Sequence, residues 1–188
     1  FYGHGTTLAN LHKYRDNIYG IDSMLSQHQL LNGIVFDDDL ENGDLKAYKV
    51  LLLSNTAYLS QKAIDKLTAW VCRGGTLIAT FETSLYDEWG SRRNDFGLSD
   101  LFGIRHLESV HEEDESKVSK GIQEHFVQVV DRSLHLNDPS LNGGQANATF
   151  FGPYVRFELT ASDVEIIART APESINYQWE ASGDEEVG

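Results

Sequence analysis

The stretch KVLLLSN (49–55), TAYLSQKAIDKLTAWVCRGG (56–75) and TLIATFETSLYDEWGSRRNDFGLSDLFGI (76–104) decides the fold. Lys49–Leu53 is almost continuously apolar, as a parallel strand covered on both faces requires. Ser60 stands where a helix N-cap belongs, and Ala63, Ile64, Leu67, Trp70 and Val71 then recur at helical spacing. Arg73 suits the negative end of the helix dipole, and Gly74 or Gly75 supplies the left-handed residue that closes it. Thr76–Phe81 is a second apolar strand. A strand, a short helix and another strand imply a right-handed crossover in a parallel sheet.

Upstream, Leu8 to Leu31 carries Leu8, Leu11, Ile18, Ile21 and Leu25 at roughly helical spacing, with Gly20 as a weak point or kink. Gly33–Phe36 reads as a short strand that Asp37–Asp39 ends as a turn, before a helical turn within Leu40–Tyr48. Counting that strand, the order β-α-β-α-β predicts an open, doubly wound sheet. Phe1–Thr7 contains a Gly-x-Gly, but no strand precedes it, so a dinucleotide fingerprint is not expected. After Arg105 the pattern changes. Residues 106–125 are polar and acid-rich and fit helix or loop equally. Phe126–Val130, Thr149–Leu159 and Val164–Ala168 read as strands, with turns at Asn137–Pro139 and Asn142–Gly144. The expectation is one domain over 1–188: a core at about 8–105, a β-rich extension at about 106–188, and a larger parent chain around both.

Composition narrows the function classes. Of 188 residues, 40% are hydrophobic and 11% aromatic, which is enough for a packed core. The net charge of −14 repels phosphate backbones, so neither nucleic acid nor an anionic membrane is an expected partner. No window approaches the roughly 20 consecutive apolar residues of a membrane span, and a soluble, cytoplasmic protein is expected. A single cysteine, Cys72, excludes an internal disulfide and a cysteine-rich zinc site. His111-Glu112 lacks the second histidine of a zincin motif, so no metal and no cofactor are expected. Asn147-Ala-Thr149 fits a glycosylation sequon.

Ligands of open α/β sheets sit beyond the carboxyl ends of the strands. Those ends carry Asp37–Asp39, Asn55, and Glu82, Thr83 and Ser84; the last loop runs on through Tyr86, Asp87, Glu88, Trp89, Arg92, Arg93 and Asp95. Carboxylates beside planar aromatics suit a sugar, and arginines can clamp an anion; alternatively the arginines pair internally with Asp87 and Asp95. The candidate contact residues for ligand or partner are Asn55, Glu82, Ser84, Tyr86, Asp87, Arg92 and Arg93. No catalytic residue is expected. Cys72 falls in the last turn of a helix, where the dipole disfavours a thiolate. His106-Leu-Glu108 matches the His-x-Glu pair of class I glutamine amidotransferases, but without a nucleophile it makes no triad. Ser84 has no Gly-x-Ser-x-Gly elbow, and Glu82 and Asp87 on one loop do not make facing glycosidase carboxylates.

The motifs LSNTAYLS (53–60), the helix ending in Arg-Gly-Gly, FETSLYDEWG (81–90) and DFGLSDLFGI (95–104) occur in that order, after GIVFDDDL (33–40) and YKVLLLSN (48–55). Over roughly 14–105 the chain resembles the β-galactosidase trimerisation domain, which follows the catalytic barrel in some glycoside hydrolases. The resemblance implies a three-layer, flavodoxin-like (class I glutamine amidotransferase-like) parallel sheet with a β-rich C-terminal portion. It further implies a non-catalytic domain that packs on the parent's catalytic barrel, supports a homo-oligomer and can wall a neighbouring active site, where carbohydrate is a further possible contact. A stand-alone sugar-utilisation protein, or a small-molecule binding module of the same fold, is the alternative.

Overall fold

The computed structural model describes residues 11–110, 124–129, 147–151 and 154–170. The chain divides into two compact units, one of residues 1–117 with 153–164, the other of 118–152 with 165–188.

The first unit is built on the predicted strand–helix–strand. Strand β1 (Val50–Leu53) and strand β2 (Thr76–Ala79) pair in parallel, with Val50 opposite Thr76 and Leu53 opposite Ala79. They are joined by the amphipathic helix Gln61–Cys72, the third helix among the described residues and hereafter α3; α1 is Leu11–Gln27 and α2 is Asp37–Asn42. Ser60 caps α3 as expected: its hydroxyl oxygen accepts the Ala63 N–H at 3.1 Å. The other end closes through Gly74 at φ +98°, with Gly75 N–H on Trp70 O and Gly74 N–H on Val71 O. That double bond is a Schellman motif, and only glycine takes its left-handed residue without strain.

The inner face of α3 presents Ala63, Ile64, Leu67 and Trp70, all buried, to Leu51 and Leu53 of β1 and to Val35, Leu40, Leu45, Leu59 and Leu98. Each large apolar side chain buried this way contributes about 1.5–3 kcal/mol relative to exposure. Trp70 also donates its indole N–H to Leu45 O at 3.2 Å, so the largest core ring is fixed in orientation. On the opposite face of the sheet, Val50 and Ile78 stay half exposed among the described residues. Mixed α/β architecture with a small parallel sheet is therefore established.

Upstream, two expectations are corrected. Residues 33–35 form no strand; Val35 enters the core, and only an isolated bridge falls at Phe36. Asp37–Asp39 are not a turn but the first turn of α2, where carboxylates complement the positive end of the helix. The reason lies in the Phe36 backbone. Its C=O accepts the Leu40 N–H at 2.8 Å and its N–H donates to the Asp39 carboxylate at 3.4 Å, so both groups start the helix instead of a ladder. Helix α1 ends at Gln27, before the expected Leu31, and runs unbroken through Gly20. Lys62 and Lys66 of α3 reach back to Asn42 and to the Gly43 carbonyl, tying α2 to α3.

Downstream, the short helix α4 (Ser99–Phe102) leads into strand β3 (Ile104–Val110), where helix or loop was expected. β3 pairs antiparallel with strand β6 (Tyr154–Leu159), so the Thr149–Leu159 segment contains two strands and not one. Arg105 faces Glu158 at 2.7 Å and Arg156 faces Glu108 at 3.8 Å across this pair. These are exposed ion pairs, each contributing at most about 1 kcal/mol. The register slips between His106 and Glu108, a β-bulge that puts His106 and Ser109 on one side of the strand.

In the second unit, strand β4 (Glu124–Val129) lies between β5 (Asn147–Phe151) and β7 (Ala168–Thr170), both antiparallel to it. The expected strand at 126–130 thus begins two residues earlier, and that at 164–168 is replaced by β7. The sequon Asn147–Thr149 lies in β5, with Asn147 opposite Gln128. The Gly-x-Gly of residues 3–5, the acidic run 112–115 and the turns at 137–144 lie outside the described residues.

Candidate functional site

Beyond β2 the chain folds back along the end of β1 and then projects a hairpin. The turn starts with Thr80 N–H on Leu53 O and Thr80 Oγ1 accepting the Asn55 N–H at 2.9 Å. Thr83 accepts the Thr56 N–H at 3.2 Å through its hydroxyl oxygen, which also donates within this turn. Three residues here take left-handed backbone without being glycine: Asn55 at φ 47°, Phe81 at 51° and Ser84 at 68°. Each such residue costs roughly 1–2 kcal/mol, less for Asn, and the dense hydrogen bonding of the turn offsets it.

Ser84 is fully buried. Its backbone N–H donates to Thr56 O, its C=O accepts the Gly97 N–H, and its hydroxyl oxygen accepts the Leu98 N–H at 3.2 Å. It therefore knots three segments together. Tyr86 continues the parallel pairing, bridging to Tyr58, and the two rings stack with centroids 5.2 Å apart. Tyr86 then bridges antiparallel to Arg92, which makes residues 86–92 a hairpin with the three-residue loop Glu88-Trp89-Gly90. Asp87 N–H donates to Ser91 O, and Gly90 N–H donates to Asp87 O. The Asp87 carboxylate accepts both the Trp89 and the Ser91 N–H, at 3.0 and 2.7 Å. Gly90 has φ +88°, the left-handed position that three-residue hairpin loops reserve for glycine. Trp89 at the tip is 86% exposed.

Behind the hairpin lies a polar cluster. Arg93 donates to Leu59 O at 2.8 Å and is held within the fold. Asp95 accepts the Phe96 N–H at 2.7 Å and the His106 N–H at 2.8 Å through one oxygen. The Arg92 guanidinium lies 3.4 Å from His106 Nδ1, and His106 Nε2 lies 2.9 Å from Ser109 Oγ. Guanidinium only donates, so Nδ1 is the acceptor and Nε2–H donates to Ser109. The imidazole is thereby neutral in one tautomer, packed edge-on against Phe96. Burial, and then the Arg92 charge, hold His106 below its ordinary pKa, against the opposing pull of Glu82 and Asp95. Burial, and then Glu82, raise the Tyr86 phenol, with Arg92 opposing.

Of the seven expected contact residues, the structure gathers Glu82, Tyr86, Asp87, Arg92 and Arg93 on one loop and sets Asn55 and Ser84 in the turn at its base. Glu82 and Ser84 are buried, Asp87 is occupied with the hairpin backbone, and Arg93 holds Leu59. The arginines do not pair with Asp87 or Asp95 as the internal reading had it; they donate to His106 and to a carbonyl. The contact set drawn from the sequence omitted the two groups the structure makes most distinctive: Trp89, named there only as part of the loop, and His106, named only in a His-x-Glu pair. The signal for Trp89 was Asp-x-Trp-Gly, in which Asp and Gly are turn residues that put the intervening side chain at the tip. His106 was weighed only beside Glu108, and nothing local pointed to its place behind the hairpin. Cys72 is exposed in the last turn of α3, and among the described residues no group of His, Cys, Asp and Glu is placed to hold a metal ion.

Residues 30–152 match the family model of the β-galactosidase trimerisation domain. The chain belongs to this family. The match includes the strand–helix–strand unit, the hairpin and β3–β5. Solved structures with similar folds include a β-galactosidase from Bacillus circulans sp. alkalophilus, 15% identical, with TM-score 0.55 over 74% of this chain and 18% of that one. Gan42B, a GH42 β-galactosidase from G. stearothermophilus, is 15% identical, with TM-score 0.54 over 75% of this chain and 17% of that one. A β-galactosidase from Rahnella sp. R3 is 19% identical, with TM-score 0.53 over 69% and 17%. At these identities the likeness is one of fold. The trimerisation domain described here spans under a fifth of the length of these relatives. No match was found among curated proteins. No described helix is long and apolar enough to cross a membrane.

Proposed function

We propose that this chain is the non-catalytic, oligomerising domain of a glycoside hydrolase of the β-galactosidase kind. It packs against the catalytic barrel of its own parent chain and against a partner subunit, with the loop 82–95 as its contact surface. The observation that carries this is the family match over residues 30–152. The side chains agree with it. Asp87, Arg93 and Ser84 of the loop are engaged in holding backbone, and Cys72 lies exposed in the last turn of α3. In this reading the small parallel sheet belongs to a three-layer, flavodoxin-like domain, and the 106–188 portion is its β-rich extension.

The test is twofold. The isolated chain should not hydrolyse a chromogenic β-galactoside, whereas the intact parent should. In sedimentation velocity the intact parent should run as an oligomer. Galactoside hydrolysis by the isolated chain, lost on substitution of Glu82, would assign the chemistry to this domain and reject the proposal.

A further inference from the structure

We infer that Trp89 is the anchor by which one copy of the parent chain docks into a second copy. The inference rests on the oligomerising role proposed above and names the residue and the contact type that carry it. Three independent features converge on this side chain. First, its indole is 86% exposed, the most exposed aromatic ring among the described residues. A tryptophan in that state forfeits a large burial gain that a partner's pocket would recover, and Trp is enriched among residues that dominate interfaces.

Second, the ring is held out by construction. The Asp87 carboxylate fixes the Trp89 and Ser91 N–H groups, Gly90 takes the left-handed turn position, and Tyr86 and Arg92 bridge at the base. Underneath, Tyr86 is stacked on Tyr58 and Arg93 is bonded to Leu59 O, so the hairpin stands on the rigid end of the parallel sheet. An anchor that is already ordered loses little conformational entropy when it docks.

Third, the charge fits contact between identical chains. The protein carries a net charge of −14, which makes two copies repel over most of their surface. Within Tyr86–Arg93 the two acids, Asp87 and Glu88, are matched by the two bases, Arg92 and Arg93, giving a local net charge of zero. The hairpin is a place where another copy can approach with less of that penalty. A projecting knob needs a receiving pocket on its partner, and where that contact is heterologous it can close into a ring of three. The family's description as a trimerisation domain is consistent with such closure.

The experiment compares the intact parent protein with its Trp89→Ala and Asp87→Ala variants by sedimentation velocity over a dilution series, with melting temperature measured alongside. Trp89→Ala should raise the dissociation constant by at least about tenfold, as loss of an interface hot spot does. Its subunits should stay folded, since the side chain is 86% exposed. Asp87→Ala, which keeps the indole but frees the turn, should weaken assembly in the same direction by less. An unaltered dissociation constant for Trp89→Ala overturns the inference while leaving the oligomerising role intact. A wild-type parent that is monomeric throughout removes both. If Trp89→Ala assembles normally but loses binding of galactobiose in calorimetry, the ring is a sugar platform and the inference is wrong.

Discussion

Gly75→Ala is the sharpest probe of the scaffold that positions the hairpin. A Cβ on Gly75 would lie 2.4 Å from Cδ2 and Cε2 of Trp70 and 2.6 Å from Cε3. Ordinary contact needs at least about 3.4 Å, so one of the two must move by roughly 1 Å. The indole is 4% exposed in the core, and its N–H is bound to Leu45 O at 3.2 Å. A shift of that size lengthens the bond beyond hydrogen-bonding range. Overpacking of a filled core costs about 1–3 kcal/mol, and loss of the bond adds about 1 kcal/mol, which together predict roughly 2–4 kcal/mol. The assay is urea unfolding followed by far-UV circular dichroism, run as a cycle with Trp70→Ala. In the Trp70→Ala background the obstacle is gone, and Gly75→Ala should be neutral or slightly stabilising through the unfolded chain. Equal destabilisation in both backgrounds, or less than about 0.5 kcal/mol in the wild type, would refute the packing argument.

Two further outcomes follow from single contacts. His106 is depressed by burial and by Arg92, so the unfolded chain binds its proton more readily than the folded one between the ordinary value and the folded value. The corresponding stability is complete above the ordinary histidine pKa of about 6.5 and is lost as pH falls through that window. His106→Gln should flatten the dependence of the urea midpoint on pH below neutrality, and an unaltered slope would count against it. Ser60→Ala removes the oxygen that caps Ala63 N–H and the hydroxyl that donates to Glu41, and should cost about 1 kcal/mol in the same unfolding assay, with Ser60→Thr largely restoring it.

How much of this was legible in the sequence depended on how local the cause was. The β1–α3–β2 unit was read with its ends nearly right because its signals are contiguous: an apolar run, a serine cap, a helical stripe and a double glycine. Strand β3 was missed because its partner β6 begins more than forty residues later and the bulge at Leu107 breaks its alternation. The segment 33–36 looked like a strand by composition, but the Phe36 backbone is engaged by Leu40 and Asp39 to start α2. In the loop, residue types were legible and exposure was not. Ser84 and Glu82 read as free polar groups and are buried, whereas Trp89 read as one of a set and stands alone at the tip. Which side of a turn a residue faces is set by Asn55, Phe81 and Ser84 in left-handed backbone, and for Phe and Ser no propensity announces that conformation.

The central claim is that this domain assembles subunits and leaves the chemistry to the rest of its parent. The most direct measurement is sedimentation equilibrium of the intact parent and of a form lacking this chain, with β-galactosidase activity of both recorded per folded subunit. The account predicts an oligomer that becomes monomeric when the domain is removed. An assembly that is unchanged by the deletion, or an intact parent that is monomeric at micromolar concentration, would contradict it.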